Sequence, residues 1–195
     1  MKKIVVATNN SHKLKEIKEI LKEYDILSLK DIDFNDDIVE DGNTFEENSL
    51  IKAKTVHNYL KSKNLDYIVM ADDSGICCDA LNGEPGIYSA RYAGEHDDKA
   101  NRKKLIKKLE GKAKPAYFNC TIVLYYPDDN YKVFEGKTYG IIIEEEKGNS
   151  GFGYDPIFYS NDLNKTFGEA TEEEKNRVSH RGRALEKMKE EIWKI

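Results

Sequence analysis

Apolar and polar positions follow two different patterns at the start of the chain. Lys3–Thr8 and Tyr24–Leu29 are short, mostly apolar runs of the kind that form buried strands. From about Ser11 the apolar residues recur every three to four positions, which predicts an amphipathic helix. The chain is therefore predicted to begin with a strand, a helix and a second strand.

The same order continues through the middle of the chain. Thr44-Phe-Glu-Glu47 has the form of a capping box, so a helix is predicted from there to about Leu60. Tyr67–Ala71 is the next apolar run and is predicted to be a strand. Asp97–Leu109 is predicted to be a helix that Gly111 closes.

The pattern changes after residue 115. Ala116–Tyr126 and Tyr131–Ile143 are rich in aromatic and β-branched residues, and Pro127-Asp-Asp-Asn130 between them predicts the turn of a β-hairpin. A short strand at Pro156–Tyr159 and a last helix capped by Ser179 complete the chain. Strands that alternate with helices and then give way to antiparallel strands predict an α/β fold with a mixed sheet.

Length and composition limit the class of protein. The 195 residues suffice for one domain with a core, with room for two lobes that share a sheet. Because 39% of the residues are hydrophobic and 34% are charged, the chain is expected to be globular rather than disordered. We find no repeat or linker, so residues 1–195 are predicted to form a single domain. The net charge of −5 argues against a nucleic acid partner.

The cysteines and the lengths of the apolar runs indicate the cellular compartment in which the protein is expected. Cys77, Cys78 and Cys120 form neither a CxxC pair nor a zinc-binding spacing, and they are predicted to be small buried apolar residues. The apolar run near Met1 is too short for a signal peptide, and no run approaches the roughly 20 residues of a membrane span. A soluble, cytoplasmic protein with no membrane partner is therefore expected.

Ala71-Asp-Asp-Ser-Gly75 is the most informative segment. The carboxyl ends of strands in open α/β sheets are common ligand sites, and two adjacent carboxylates repel unless a cation lies between them. Asp72 and Asp73 would point to opposite sides of a regular strand. A bend at Ser74-Gly75 is expected to bring both to one crevice, where a divalent cation would bind. The alternative is a solvated turn.

Two polar segments precede predicted helices. The first lies before the first helix and supplies a candidate anion site, because backbone N–H groups at a helix N-terminus favour anions. Its residues are Thr8, Asn9, Asn10, Ser11, His12 and Lys13. It lacks the Walker A pattern, and its alternative is an ordinary capped loop. The second is Glu40–Thr44 with Lys52 on the helix that follows; these residues could simply complement the helix dipole and reach solvent.

Two further segments lie near the end of the chain. Gly151–Asp155 has glycines that allow close approach of a ligand, and Phe152 or Tyr154 could offer a flat face to a base. The alternative is a β-turn with aromatic residues in the core. Lys175 and Ser179-His-Arg181 place positive charge near the start of a helix, which is unusual unless an anion binds there. Surface solvation is the alternative, and His180 could also be a satisfied, semi-buried histidine.

Together these segments supply phosphate donors, carboxylates for a metal, a platform for a base and cations. On six motifs in order, the chain resembles the inosine/xanthosine triphosphate pyrophosphatase family over about 180 residues. The motifs are ATNNSHK, DGNTFEENSLIKA, ADDSG, NGEPGIYSARYAGE, GFGYDPIF and EEKNRVSHRGRA. The resemblance implies a two-lobed α/β fold with a long mixed central sheet flanked by helices. It also implies a homodimer and Mg²⁺-dependent hydrolysis, with Mn²⁺ as a substitute. The substrates would be non-standard purine nucleoside triphosphates (ITP, dITP and XTP), and the products the monophosphate and pyrophosphate.

The resemblance also implies roles for residues. It assigns the triphosphate to Thr8–Lys13 with Lys52, the catalytic and metal-associated carboxylate to Asp73, and a substrate contact to Ser74. The remaining nucleotide-binding positions are Phe152, Gly153, Tyr154, Asp155, Lys175, His180 and Arg181.

Two departures from the family pattern affect these roles. Asn9 and His12 replace glycines of the usual first loop. The second acidic segment is one residue shorter than usual, which makes Glu40 the preferred second metal ligand and Asp41 the alternative.

Two rival functions remain open at this point. A septum-formation-type nucleotide pyrophosphatase would have a related architecture but other base preferences, and the SHR and GFGYD segments argue against it. A nucleotide-sensing module would bind without turnover. Release of pyrophosphate from ITP in the presence of Mg²⁺ separates such a module from either enzyme.

Overall fold

A computed structural model describes residues 3–94 and 97–192, so Glu95 at the end of the fourth motif lies outside the described residues. The strands are β1 (Lys3–Val6), β2 (Asp25–Leu27), β3 (Ile68–Cys78), β4 (Pro115–Tyr125), β5 (Tyr131–Ile142), β6 (Phe158–Ser160) and β7 (Lys165–Thr166). The α-helices are α1 (Ser11–Ile20), α2 (Phe45–Ser62), α3 (Asp98–Lys108), α4 (Glu172–Val178) and α5 (His180–Ile192). Within the described ranges, every helix is too short or too polar to span a lipid bilayer.

The strands form one mixed sheet, as the sequence predicts. Their order is β2-β1-β3-β4-β5-β6-β7. Strand β1 runs parallel to both β2 and β3, whereas β6 is antiparallel to β5 and to β7. The fold is α/β, with helices flanking the sheet, which confirms the predicted fold class.

Side-chain caps explain where the helices begin. Thr44 Oγ1 accepts a hydrogen bond from the Glu47 N–H at 3.1 Å, which is the predicted start of α2. The Glu47 carboxylate accepts from the N–H of Asn43 at 2.6 Å, one residue before the position that a capping box uses. The Ser179 hydroxyl accepts from the Gly182 N–H at 3.0 Å at the start of α5, as predicted. These bonds satisfy donors that the first turn of a helix leaves unpaired.

Strand β3 differs from its prediction. It does not end at Ala71 but continues to Cys78, so the bend expected at Ser74-Gly75 is absent. Gly75 is needed here for close approach rather than for a turn, because a Cβ on it would lie 2.2 Å from the Gly86 carbonyl oxygen. The 3₁₀ helix Gly86–Arg91 therefore packs directly on the strand.

Among the α-helices and strands of the described residues, one of each was not predicted. Helix α4 lacks a clear apolar stripe, although Thr171 and Glu174 form a complete capping box at its start. Strand β7 has only two residues, which is too short for a periodic signal.

The chain divides into two compact units, each built from separate segments. Unit 1 contains Met1–Asp73, Thr121–Glu135 and Ala184–Ile195, and unit 2 contains Ser74–Cys120 and Gly136–Arg183. The core of unit 1 contains Val5, Ala7, Leu29, Ile32, Phe34, Ala53, Val56, Leu60, Val69, Ala71, Val123 and Tyr125. The core of unit 2 is rich in aromatic side chains, including Phe118, Tyr154, Phe158 and Phe167.

Candidate active site

Three carboxylates and two lysines of unit 1 form a cluster, which we call the carboxylate–lysine cluster: Lys13, Glu40, Lys52, Asp72 and Asp73. Lys13 Nζ lies 3.3 Å from Asp72 Oδ2. Lys52 Nζ lies 2.8 Å from Glu40 Oε2 and 4.0 Å from Asp73 Oδ1. Asp72 is fully buried, and Asp73 is 7% exposed. Buried carboxylates need such partners, because their charged form is costly without them.

The regular course of β3 separates the two aspartates. Since side chains alternate across a strand, Asp72 contacts Lys13 while Asp73 faces Lys52 and Asn48. Lys13, which is paired with Asp72, also lowers the pKa of Asp73, so one cation acts on both carboxyls; their sharing of a divalent cation stays a prediction. Asp73 remains the acidic residue grouped with Glu40 through Lys52.

Asn48, which was not among the predicted site residues, holds Asp73. The amide Oδ1 of Asn48 accepts from the Gly42 N–H at 2.9 Å, so its Nδ2 is the group that donates to Asp73 Oδ2, at 3.2 Å. Asn48 and Lys52 lie one helical turn apart on the same face of α2. This i, i+4 spacing was visible in the sequence and was the signal that could have found Asn48.

Burial and charge act in opposite directions on Asp73. Burial raises the pKa of this carboxyl, Lys52 and Lys13 lower it, and Glu40 raises it again. Burial has the largest effect, and the net direction is upward. A carboxyl with a raised pKa binds a proton more readily than the same group in water.

The N-terminus of α1 carries a side-chain cap. Asn10 Oδ1 accepts from the N–H groups of His12 and Lys13 at 3.0 and 3.1 Å. The capped loop, which was the alternative interpretation, is thus present, and these two N–H groups are already satisfied. Asn9 and His12, which replace family glycines, are absent from the described residues with positive φ, so neither position needs glycine.

The carboxylate–lysine cluster has a donor set that fits a hard divalent cation. Within the described part of the chain, no three His, Cys, Asp or Glu side chains form a metal site by themselves. Mg²⁺ commonly takes only one or two carboxylates together with phosphate oxygens and water. Glu40 and Asp73 provide two carboxylates directed at one cation, and the Lys52 ammonium group is that cation in this structure. Asp41 is exposed, and Glu40 is half-buried.

A second group of predicted residues lies in unit 2, around the loop Gly148–Gly153. Asp155 Oδ2 accepts from the Phe152 N–H at 2.9 Å and from Lys175 Nζ at 2.7 Å. Lys175 Nζ also lies 4.7 Å from the centre of the Phe152 ring, a distance typical of a cation–π contact. Gly151 has φ +75°, and a Cβ on it would lie 2.0 Å from Asp155 Oδ2. We call Phe152, Asp155 and Lys175 the loop cluster.

Tyr154 does not share the position of Phe152. Its ring is part of the core of unit 2, and its hydroxyl donates to the Ser89 carbonyl oxygen at 2.7 Å. Burial raises the pKa of the Tyr154 phenol. Phe152 is half-buried, so it is the more accessible residue of this pair. Ser89 was not among the predicted site residues; its hydroxyl oxygen accepts from the Ile76 N–H at 2.9 Å and so connects the fourth motif to β3.

The predicted basic residues at the start of α5 are buried. Arg181 is 1% exposed, and its NH2 donates to Ser74 Oγ at 3.0 Å. The His180 ring is stacked on Phe118 with a centroid distance of 4.7 Å and an interplanar angle of 11°. The surface alternative is therefore wrong for both residues. A buried guanidinium is always charged, so it is suited to fixed recognition of an acceptor.

Comparisons with known proteins agree over nearly the whole chain. Residues 4–191 match the model of the Ham1 family. A dITP/XTP pyrophosphatase of Clostridium perfringens is 53% identical over 199 residues, which cover 98% of each protein. The Bacillus subtilis protein of the same name is 46% identical over 194 residues, or 96% of each protein. Among solved structures, the Staphylococcus aureus Ham1 protein gives a TM-score of 0.86 at 42% identity, with 98% of both chains covered.

Proposed function

This chain belongs to the Ham1 family, which confirms the family predicted from its motifs, and on that premise we propose that it is a nucleoside-triphosphate pyrophosphatase. Its proposed substrates are ITP, dITP and XTP, and its products the monophosphate and pyrophosphate. The names of the relatives support this substrate class. The observation that carries the proposal is the carboxylate–lysine cluster around Asp73.

The charge of this cluster supports a requirement for a divalent cation. Three carboxylates and two ammonium groups leave one net negative charge, which repels a triphosphate. With a divalent cation bound, the net charge becomes positive. We propose that Glu40 and Asp73 hold Mg²⁺, with Mn²⁺ as a substitute. When bound, Mg²⁺ supplies Lewis-acid neutralisation of charge on the phosphate oxygens.

In the proposed reaction, water attacks the α-phosphorus in line and pyrophosphate leaves. Asp73 faces the attacking water, either as the proton acceptor or as the group that orients it. Asn48 fixes one oxygen of Asp73 and so sets the direction of the carboxylate. Lys13 and Lys52 bind the β- and γ-phosphates, together with Thr8, Ser11 and the other residues of the first loop.

In this assignment the loop cluster binds the purine base of the nucleotide. Phe152 stacks on the purine, and Asp155 with Lys175 holds Phe152 in place. Arg181 and His180 are assigned to the edge of the base, and Ser74 to a substrate contact. Tyr154 contributes through its backbone, because its ring belongs to the core.

Three broader features complete the proposal. Residues 1–195 act as a single catalytic domain, since both units are built from separate segments of the chain. The chain forms a homodimer, which sedimentation velocity would detect; Tyr139 and Ile141 are exposed apolar residues on β5 that are available to a partner. The cytoplasm is the proposed location, and the three cysteines carry buried thiols rather than disulfides, as expected in a reducing compartment.

The products distinguish this reaction from other triphosphate hydrolysis. Scission at the α-phosphorus yields IMP and pyrophosphate from ITP, whereas scission at the γ-phosphorus yields IDP and orthophosphate. Anion-exchange chromatography of an ITP digest with Mg²⁺ is expected to show IMP at all times. Accumulation of IDP would contradict the mechanism but not the fold. Absence of any pyrophosphate release would favour a nucleotide-sensing module.

Paired substitutions test which acidic residue assists Asp73. Glu40→Gln is expected to raise the Mg²⁺ concentration for half-maximal activity by at least about tenfold, since Glu40 shares Lys52 with Asp73. Asp41→Asn is expected to change it by less than about twofold, because Asp41 is exposed. The measurement is a Mg²⁺ titration of pyrophosphate release at saturating ITP. A larger effect of Asp41→Asn would identify Asp41 as the ligand.

A further inference from the structure

Two side chains of helix α3 hold the loop that carries Phe152. The N–H of Gly153 donates to Asp98 Oδ2 at 2.9 Å, and the Gly153 carbonyl oxygen accepts from Arg102 NH1 at 2.8 Å. Asp98 and Arg102 lie one helical turn apart on the same face of α3. The backbone N–H and carbonyl oxygen of Gly153 are thus both bound by side chains of α3.

Arg102 is itself fixed in position. Its Nε and NH2 donate to Glu146 Oε1 and Oε2 at 2.9 and 3.1 Å, which is the paired geometry that orients a guanidinium most firmly. The Arg102 side chain is 13% exposed. Because Glu146 lies just before the loop and Gly153 at its end, Arg102 joins both sides of the loop to α3.

Phe152 is thereby held from two directions. Its own N–H donates to Asp155, and the residue that follows it is bound to α3. Gly153 has φ +61°, a conformation in which the chain turns sharply directly after Phe152. A change in the orientation of the Gly153 peptide would therefore tilt the Phe152 ring.

We propose that Asp98 and Arg102 are positioning residues that determine base specificity, because they set the plane of the Phe152 ring through Gly153. This inference rests on the proposed function, in which Phe152 stacks on the purine. Aromatic stacking depends on the relative orientation of the two rings, and small misplacements of a substrate lower rates strongly. Neither residue belongs to one of the six motifs, and neither contacts the base in this proposal.

The test compares kcat/KM for ITP and for ATP in Asp98→Ala and Arg102→Met. Each variant is expected to lower the ratio of kcat/KM for ITP to kcat/KM for ATP by about tenfold, mainly because kcat/KM for ITP falls. Asp98→Asn keeps a carbonyl oxygen that can accept from Gly153, and it is expected to keep the ratio within about twofold of wild type. This rescue by the conservative variant separates positioning from a loss of charge at the start of α3.

Arg183→Met is the matched control. Arg183 donates to the Lys137 carbonyl oxygen at 2.8 Å and to Asp162 Oδ2 at 3.0 Å, so it makes the same kinds of contact elsewhere in unit 2. It is expected to lower Tm about as much as Arg102→Met but to leave the ITP:ATP ratio unchanged. An equal change of the ratio in this control would overturn the inference.

Phe152→Ala separates the two possible failures. If it lowers the ITP:ATP ratio while Asp98→Ala and Arg102→Met do not, the positioning role is wrong and the proposed function stands. If Phe152→Ala leaves the ratio unchanged, the assignment of Phe152 to the base is wrong and the inference falls with it. Circular dichroism of each variant at the assay temperature shows whether the fold is retained.

Discussion

Asp73→Asn is expected to lower kcat for ITP by about 10²–10⁴-fold, the range associated with loss of a positioned acid–base group. The exchange is nearly isosteric, and the new amide oxygen can still accept from Asn48 Nδ2. Lys52 loses a carboxylate at 4.0 Å but keeps Glu40 at 2.8 Å. The charge is therefore lost without a cavity. Retention of more than about a tenth of kcat, roughly 1.4 kcal/mol of barrier, would contradict the assignment.

Asp73→Asn is expected to retain or increase the stability of the fold, although it lowers kcat. Burial raises the pKa of Asp73 in the folded chain, so the folded state binds this proton more tightly than the unfolded state. The stabilisation that follows is fully present below the unfolded pKa and is lost as pH rises through the higher folded pKa. At neutral pH the charged form of Asp73 therefore opposes folding, and Asp73→Asn is expected to have an equal or higher Tm.

Asp162→Asn is the control for both measurements. Asp162 is an aspartate of unit 2 that accepts from Arg183 at 3.0 Å and lies outside the two proposed clusters. Its substitution is expected to leave kcat unchanged and to lower Tm slightly. A lower Tm for Asp73→Asn than for this control would show that the Asp73 charge supports the fold.

The sequence predicted most helices and strands, but it failed where a distant contact overrides a local preference. Asp-Asp-Ser-Gly is a composition typical of turns, yet β3 continues through it. The reason is the Gly86–Arg91 segment, which packs on Gly75 from more than ten residues away. A turn preference is local and weak, and a strand that is paired and packed on both sides outweighs it.

Contacts between residues that are distant in sequence also limited the prediction of the candidate site. The six motifs contain the residues of both clusters except Glu40, which directly precedes the second motif, and that motif also contains Asn48 without indicating its role. They did not reveal which residues hold them: Asn48 reaches Asp73 from α2, and Asp98 with Arg102 reaches Gly153 from α3. These partners are 25 or more residues apart along the chain, and only the fold brings them together.

Selectivity for 6-oxopurines is the second large effect that we expect. Hypoxanthine presents an O6 acceptor and an N1–H donor, whereas adenine presents an amino donor and an N1 acceptor at the same positions. A site that directs donors at O6 leaves them unpaired when adenine binds. One unsatisfied buried donor costs about 1–3 kcal/mol, so two mismatches are expected to favour ITP over ATP by roughly 10²–10⁴-fold in kcat/KM.

Arg181 is the preferred donor for this discrimination. Its guanidinium is permanently charged, cannot accept a hydrogen bond and is held by Ser74 at 3.0 Å. Arg181→Ala is expected to lower kcat/KM for ITP by at least about tenfold and to change the value for ATP much less. Because Arg181 is 1% exposed, Arg181→Lys is the second variant: it keeps the charge but loses the planar donor geometry, and its selectivity is also expected to fall.

The full comparison uses ITP, XTP, GTP and ATP with wild type, both Arg181 variants and Arg183→Ala as the matched control on the same helix. GTP also carries a 6-oxo group, so its rejection must depend on the 2-amino group, whereas the 2-oxo group of XTP is expected to be accepted. Arg183→Ala is expected to preserve the wild-type order, because Arg183 contacts Lys137 and Asp162 instead of Ser74. Equal kcat/KM for ITP and ATP in wild type would refute base recognition and indicate a general triphosphate hydrolase.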